Sequence, residues 1–111
     1  MKIEVFVTRS CGHRDQTNEI VNEALAESGA EGVEVAVVEV EGAEEARIKK
    51  VFGSPTVRVN GMDVEYGERE PEETSAGCRY YSTPDGWKPV PARGMIVRSI
   101  AVAKAREARG A

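Results

Sequence analysis

Gly53-Ser54-Pro55-Thr56-Val57-Arg58-Val59-Asn60-Gly61-Met62-Asp63-Val64-Glu65 is the stretch on which the fold turns. Thr56 to Val59 is rich in β-branched residues and reads as a strand. Asn60-Gly61 is the preferred dipeptide of a two-residue hairpin, because both positions must adopt positive φ. Met62 to Glu65 then returns antiparallel. On the upstream side, Gly53 suits the position just past a helix end, and Pro55 two residues on blocks any continuation.

Working back from Gly53, Ala43 to Phe52 carries Ala43, Ala46, Ile48, Val51 and Phe52, the spacing of a short, imperfectly amphipathic helix. Val33-Glu34-Val35-Ala36-Val37-Val38-Glu39-Val40 is the strongest strand signal. Its near-continuous valine predicts a strand covered by helices on both faces. Before it, Ile20, Val21, Ala24 and Leu25 have helical spacing, and Ser28-Gly29 supplies a stop, so a helix is expected from about Gly12 to Glu27. Ile3, Val5 and Val7 define a first strand of about six residues.

Forward from Glu65, residues Tyr66 to Gly77 are polar and read as a solvated loop, its acidic run included. Cys78-Arg79-Tyr80-Tyr81 is a short strand candidate, Pro84-Asp85-Gly86 a turn. A last helix starts near Pro91 or Ala92, with Met95, Ile96, Ile100 and Ala103 on its buried side. The order is β-α-β-α-β-β-α, with room for one further short strand. It predicts a single α/β domain over residues 1–111: a mixed four-stranded sheet with helices on both faces.

The chain has 111 residues, 41% of them hydrophobic and 31% charged, the composition of a folded globular domain. A net charge of −4 offers no electrostatic attraction to nucleic acid or anionic membrane. The basic residues Lys104, Arg106 and Arg109 fall at the end of the last helix, where cations complement its dipole. No apolar run is long enough for a transmembrane helix, and Ile3–Val7, interrupted by Glu4, does not read as a signal peptide. A cytoplasmic location is therefore expected. Two cysteines, Cys11 and Cys78, are too few for a disulfide framework.

Cys11 lies where the first strand gives way to the first helix. Unpaired amides and the positive end of the helix dipole favour a thiolate there, and Arg9, His13 and Arg14 add positive charge. The thiolate attacks disulfides and binds soft metals. The alternative is a small apolar side chain at a strand end. His13, the only histidine, reads as a solvated helix-start residue, and Arg14 as a carboxylate-binding group or a surface charge. Trp87 and Pro89 cover one end of the domain on this reading.

Three features resemble the thioredoxin and glutaredoxin superfamily: the strand-to-cysteine passage Val5-Phe6-Val7-Thr8-Arg9-Ser10-Cys11, the Gly53-Ser54-Pro55-Thr56-Val57 segment opening the third strand, and the hairpin and terminal helix that follow. More narrowly, Gly53 to Gly61, Gly77-Cys78-Arg79-Tyr80-Tyr81 and the proline-led last helix are similar to small bacterial thioredoxin-like proteins labelled as related to alkylmercury lyase. The resemblance implies a thioredoxin-like fold, a cis Ser54–Pro55 peptide beside the thiol, and substrate contacts from Ser54, Pro55 and Thr56. It implies thiol–disulfide exchange through Cys11 with protein thiols or glutathione, and no resident cofactor or metal. The second cysteine of the family's Cys-x-x-Cys motif is absent: the chain reads Cys11-Gly12-His13-Arg14, a monothiol variant. Two other functions compete with exchange. One is a soft-metal or organomercurial carrier using Cys11 and Cys78; the other is a redox-silent interaction domain.

Cys78 divides the readings. If Met62–Glu65 is the fourth strand, the chain returns to the Cys11 end, and Cys78 becomes a resolving thiol or second metal ligand. If Cys78–Tyr81 is the fourth strand, Cys78 starts at the far end and is structural.

Overall fold

The computed structural model describes residues 1–69 and 73–110. Its order is β1 (Ile3–Thr8), α1 (Arg14–Glu27), β2 (Val35–Val40), α2 (Ala43–Lys49), β3 (Thr56–Val59), β4 (Met62–Asp63), β5 (Tyr81–Thr83), β6 (Gly86–Lys88) and α3 (Arg93–Gly110). β1 to β4 form one mixed sheet in the order β2-β1-β3-β4. β1 and β2 are parallel, with Ile3 opposite Val35 and Thr8 opposite Val40. β3 runs antiparallel to β1, Val5 facing Val57.

The hairpin follows from its dipeptide: Asn60 and Gly61 both take positive φ, 52° and 82°. The returning strand is shorter than expected: Met62 and Asp63 form it, and beyond them Val64 N–H donates to the Val57 carbonyl at 3.1 Å. The Asp63 carboxylate accepts the N–H groups of Glu65 and Tyr66 and turns the chain out of the sheet.

Period-two alternation sorts the side chains between two apolar layers. Ile3, Val5, Val7, Val57 and Val59 pack with Val21, Ala24 and Leu25 of α1 and Met95, Ile96, Ile100 and Ala103 of α3. Phe6 and Val40 point to the opposite face and meet Ala46 and Val51. Helices α1 and α3 thus cover one face and α2 the other, and all four residues expected on the inner side of α3 are buried.

Three local expectations are corrected. Helix α1 starts at Arg14, not Gly12, so Cys11 precedes it by a turn in which its own N–H donates to the Thr8 carbonyl at 3.1 Å. Helix α2 stops at Lys49, capped by Lys50 in the left-handed region (φ 57°) instead of by Gly53. The Arg58 guanidinium donates to the Lys49 and Lys50 carbonyls, so a neighbouring strand closes this end. Strand β2 is not covered on both faces. It is the sheet's edge, where only Val40 is buried and Val37 is 37% exposed.

The segment 81–88, expected to hold only a turn after Tyr81, forms a separate hairpin of β5 and β6, with Thr83 opposite Gly86. Trp87 stands on it 70% exposed, directed to solvent more than over one end of the domain. Among the described residues, no helix is long and apolar enough to cross a membrane. The acidic residues Glu70 and Glu72 of the polar loop lie outside the described residues, as does Pro71 between them.

Candidate functional site

The site is built around Ser54. The Ser54–Pro55 peptide is cis. The Ser54 hydroxyl accepts the N–H of Thr8, the last residue of β1, at 3.0 Å. This ties the start of β3 to the end of β1, just where the chain enters the Arg9-Ser10-Cys11 turn. Cys11 is half-buried against the α1–α3 layer, with a free thiol.

On its other side Ser54 meets its own chain. Its N–H donates to the Gly77 carbonyl at 2.8 Å, and its carbonyl accepts the N–H of Arg79 at 2.9 Å. These two bonds make a parallel bridge between Ser54 and Cys78. The approach is close: Gly53 sits at φ 132°, and a side-chain carbon there would fall 2.9 Å from Cβ of Arg79, so only glycine fits. Ser75 N–H donates to the Val51 carbonyl at 2.9 Å and guides the segment in. Cys78 is exposed and its thiol is free. The structure therefore resolves the two placements left open by sequence: β4 is Met62–Asp63, and Cys78 lies at the Ser54 end of the sheet, where β1 hands over to the Cys11 turn.

Arg79 explains why the segment stays there. Its side chain is 3% exposed and makes a two-pronged pair with Asp63 at 2.6 and 2.8 Å. It also reaches Glu65 at 3.2 Å and the Thr56 hydroxyl at 3.2 Å. The guanidinium carbon lies 4.1 Å from the Tyr81 ring centre, 5.2 Å from that of Tyr66 and 5.3 Å from that of Phe52. Burial alone would depress its pKa, but the hydrogen bond and charge of Asp63, with help from Glu65, hold it above the ordinary arginine value. Among the described residues its Nε has no hydrogen-bond partner. The fully buried Tyr81 hydroxyl donates to the Pro55 carbonyl at 2.6 Å. Burial pushes that phenol well above the usual tyrosine range, with the Arg79 charge acting against the shift.

Ser54, Pro55 and Thr56 are all buried, and the polar groups expected to face a substrate have internal partners. The Thr56 hydroxyl donates to the Gly53 carbonyl at 2.5 Å and accepts from Arg79. A ligand that used the Ser54 main chain would have to displace residues 77–79. Arg14 lies 3.8 Å from Glu39, which also accepts from Arg9 at 3.0 Å. Its charge is thus shared with a carboxylate of the chain's own edge strand. His13 caps α1 through its carbonyl, which accepts both the N–H (2.9 Å) and the hydroxyl (2.7 Å) of Thr17.

An open cleft of about 580 Å³ lies beside the Cys11 turn, lined by Thr8, Arg9, Ser10, Val40, Glu41, Gly42 and Ala76. Arg79, Asp63, Glu65 and Tyr81 escaped the sequence reading as a group. Their one signal was an arginine inside a strand candidate bounded by tyrosines, and nothing local says which carboxylates it meets. Comparison with family models, curated proteins and solved structures finds no match.

Proposed function

We propose that the protein is a thioredoxin-like domain that exchanges thiols and disulfides, with Cys11 as the nucleophile. The strand order β2-β1-β3-β4, the placement of α1 and α3 against one face and α2 against the other, and the cis Ser54–Pro55 peptide support the fold reading. One observation carries the chemistry: a half-buried free thiol in the turn after β1, joined through Thr8 to the hydroxyl of Ser54. Such a thiol is screened on its core side and reachable from the other. Exchange proceeds by attack of its thiolate on a disulfide sulfur, giving a mixed disulfide and a departing thiolate.

Because the Ser54 main chain is already bonded to Gly77 and Arg79, the fitting partner is a small disulfide such as oxidised glutathione. An extended protein strand would need that edge. The cleft lined by Arg9, Ser10 and Gly42 has room for the part of such a molecule that does not react.

The test compares the full chain with Cys11→Ser and Cys78→Ser, each incubated with oxidised glutathione, quenched with acid and mapped by peptide mass. A glutathione adduct on Cys11 in Cys78→Ser, and its loss in Cys11→Ser, is the expected outcome. If Cys11 stays unmodified while a small model thiol reacts under the same conditions, the function is not exchange.

A further inference from the structure

The Ser54 bridge does more than close the sheet. Two hydrogen bonds and one bridge connect the cysteines: Cys11 N–H to Thr8 O, Thr8 N–H to Ser54 Oγ, and Ser54 paired with Gly77 and Arg79 on either side of Cys78. Segment 77–79 occupies the main-chain edge that an incoming strand would use, and it carries a thiol at its centre. The segment is held firmly on both sides of Cys78. Ser54 takes Gly77 and Arg79 by their main chain, and the buried Asp63–Arg79 pair anchors the following side chain. Yet Cys78 itself is exposed, unlike its neighbour Arg79 at 4%. A cysteine fixed in place by the main chain of Ser54 and followed by a buried arginine, but left open to solvent at the Cys11 end, is poorly explained as packing.

We infer that Cys78 is the resolving thiol of Cys11, so that segment 77–79 acts as a built-in substrate strand. The inference rests on the exchange reading of Cys11. In the first step the Cys11 thiolate attacks oxidised glutathione. A Cys11–glutathione disulfide forms, the glutathione S–S bond breaks, and one glutathione leaves as thiolate and takes up a proton. In the second step the Cys78 thiol gives up its proton to solvent and attacks the Cys11 sulfur. A Cys11–Cys78 disulfide forms and the second glutathione leaves. Both cysteines end oxidised, and one glutathione disulfide ends as two thiols. Closure requires the two Cα atoms to come within about 7 Å. The Arg9–Ser10 turn, whose side chains are exposed and whose one main-chain bond among the described residues is Cys11 N–H to the Thr8 carbonyl, is the element that would shift, since its ion pairs to Glu39 and Glu41 are open to solvent.

The full chain and Cys78→Ser are treated at low protein concentration with oxidised glutathione, quenched at intervals and weighed intact. Serine replaces an exposed side chain, so the fold is kept. In the full chain the glutathione adduct should be transient, giving way to a monomer that has lost two hydrogens and maps to a Cys11–Cys78 bond. In Cys78→Ser the adduct should persist at least roughly tenfold longer, since an internal thiol acts at millimolar effective concentration or above. Equal adduct lifetimes in the two proteins, or a disulfide-linked dimer in place of the internal bond, overturn the inference while leaving Cys11 reactive. No adduct on Cys11 in either protein overturns it together with the exchange reading.

Discussion

The two sides of Ser54 are built differently. On one side the Cys11 turn has, among the described residues, one main-chain bond, and Arg9 and the adjoining Arg14 pair with Glu39 and Glu41 in the open. On the other, Cys78 rides on a segment locked by two main-chain bonds, a buried ion pair and three aromatic rings. Stiffness is concentrated beside the resolving thiol, and freedom is left to the one that first attacks the substrate and must then come to meet it. A low-stability turn on a firm frame is where reactive residues are commonly found.

The largest expected effect comes from removing the lock. Arg79→Met leaves Asp63 and Glu65 facing a buried apolar side chain. Breaking one partner of such a pair costs about 3–5 kcal/mol. Urea unfolding should show the loss as a lower midpoint, and Cys78 should react faster with an alkylating agent once its segment is released. An unchanged midpoint would mean that the frame does not depend on this pair.

Tyr81→Phe sharpens the comparison at the next level. It strands the buried Pro55 carbonyl, a loss of about 1–3 kcal/mol at neutral pH. It also changes the alkaline limb. Burial raises the phenol's pKa in the folded state, so its neutral form contributes stability in full below the ordinary tyrosine value of about 10. That contribution is lost as pH climbs from there toward the folded-state value. Stability measured across the alkaline range should fall less steeply in Tyr81→Phe than in the parent chain.

Arg9→Ala should do least. Its guanidinium is 82% exposed, and ion pairs of this kind are screened by water and salt. The thermal midpoint is expected to stay unchanged within error. A clear drop would show the Cys11 turn to be as firmly built as the Arg79 side.

Much of the frame was legible because its signals are local. Asn60-Gly61 dictates its own turn, and the buried positions Met95, Ile96, Ile100 and Ala103 are spaced as one helix face. The valine run of β2 was legible as a strand but not as an edge, since composition reports hydrophobicity and not how many neighbours a strand has. Gly53 was read as a helix cap because glycine tolerates positive φ. It does adopt one, but for the close passage of Arg79 beneath it. The Arg79 cluster joins residues on β3, β4 and β5 and was illegible: no spacing rule links Arg79 to Asp63. Cys11 was legible through its strand-to-helix setting, whereas the position of Cys78 depended on which segment became β4.

Everything asked of Cys78 rests on the two main-chain bonds that hold its segment to Ser54. Amide hydrogen exchange of the full chain, resolved residue by residue by NMR, reads them directly, because the donors are the amides of Ser54 and Arg79. Both should be protected to a degree comparable with Val57 and Val59 of β3, and much more than the amides of the Arg9–Ser10 turn. Fast exchange at Ser54 and Arg79 with β3 still protected would contradict the placement of Cys78 beside Ser54.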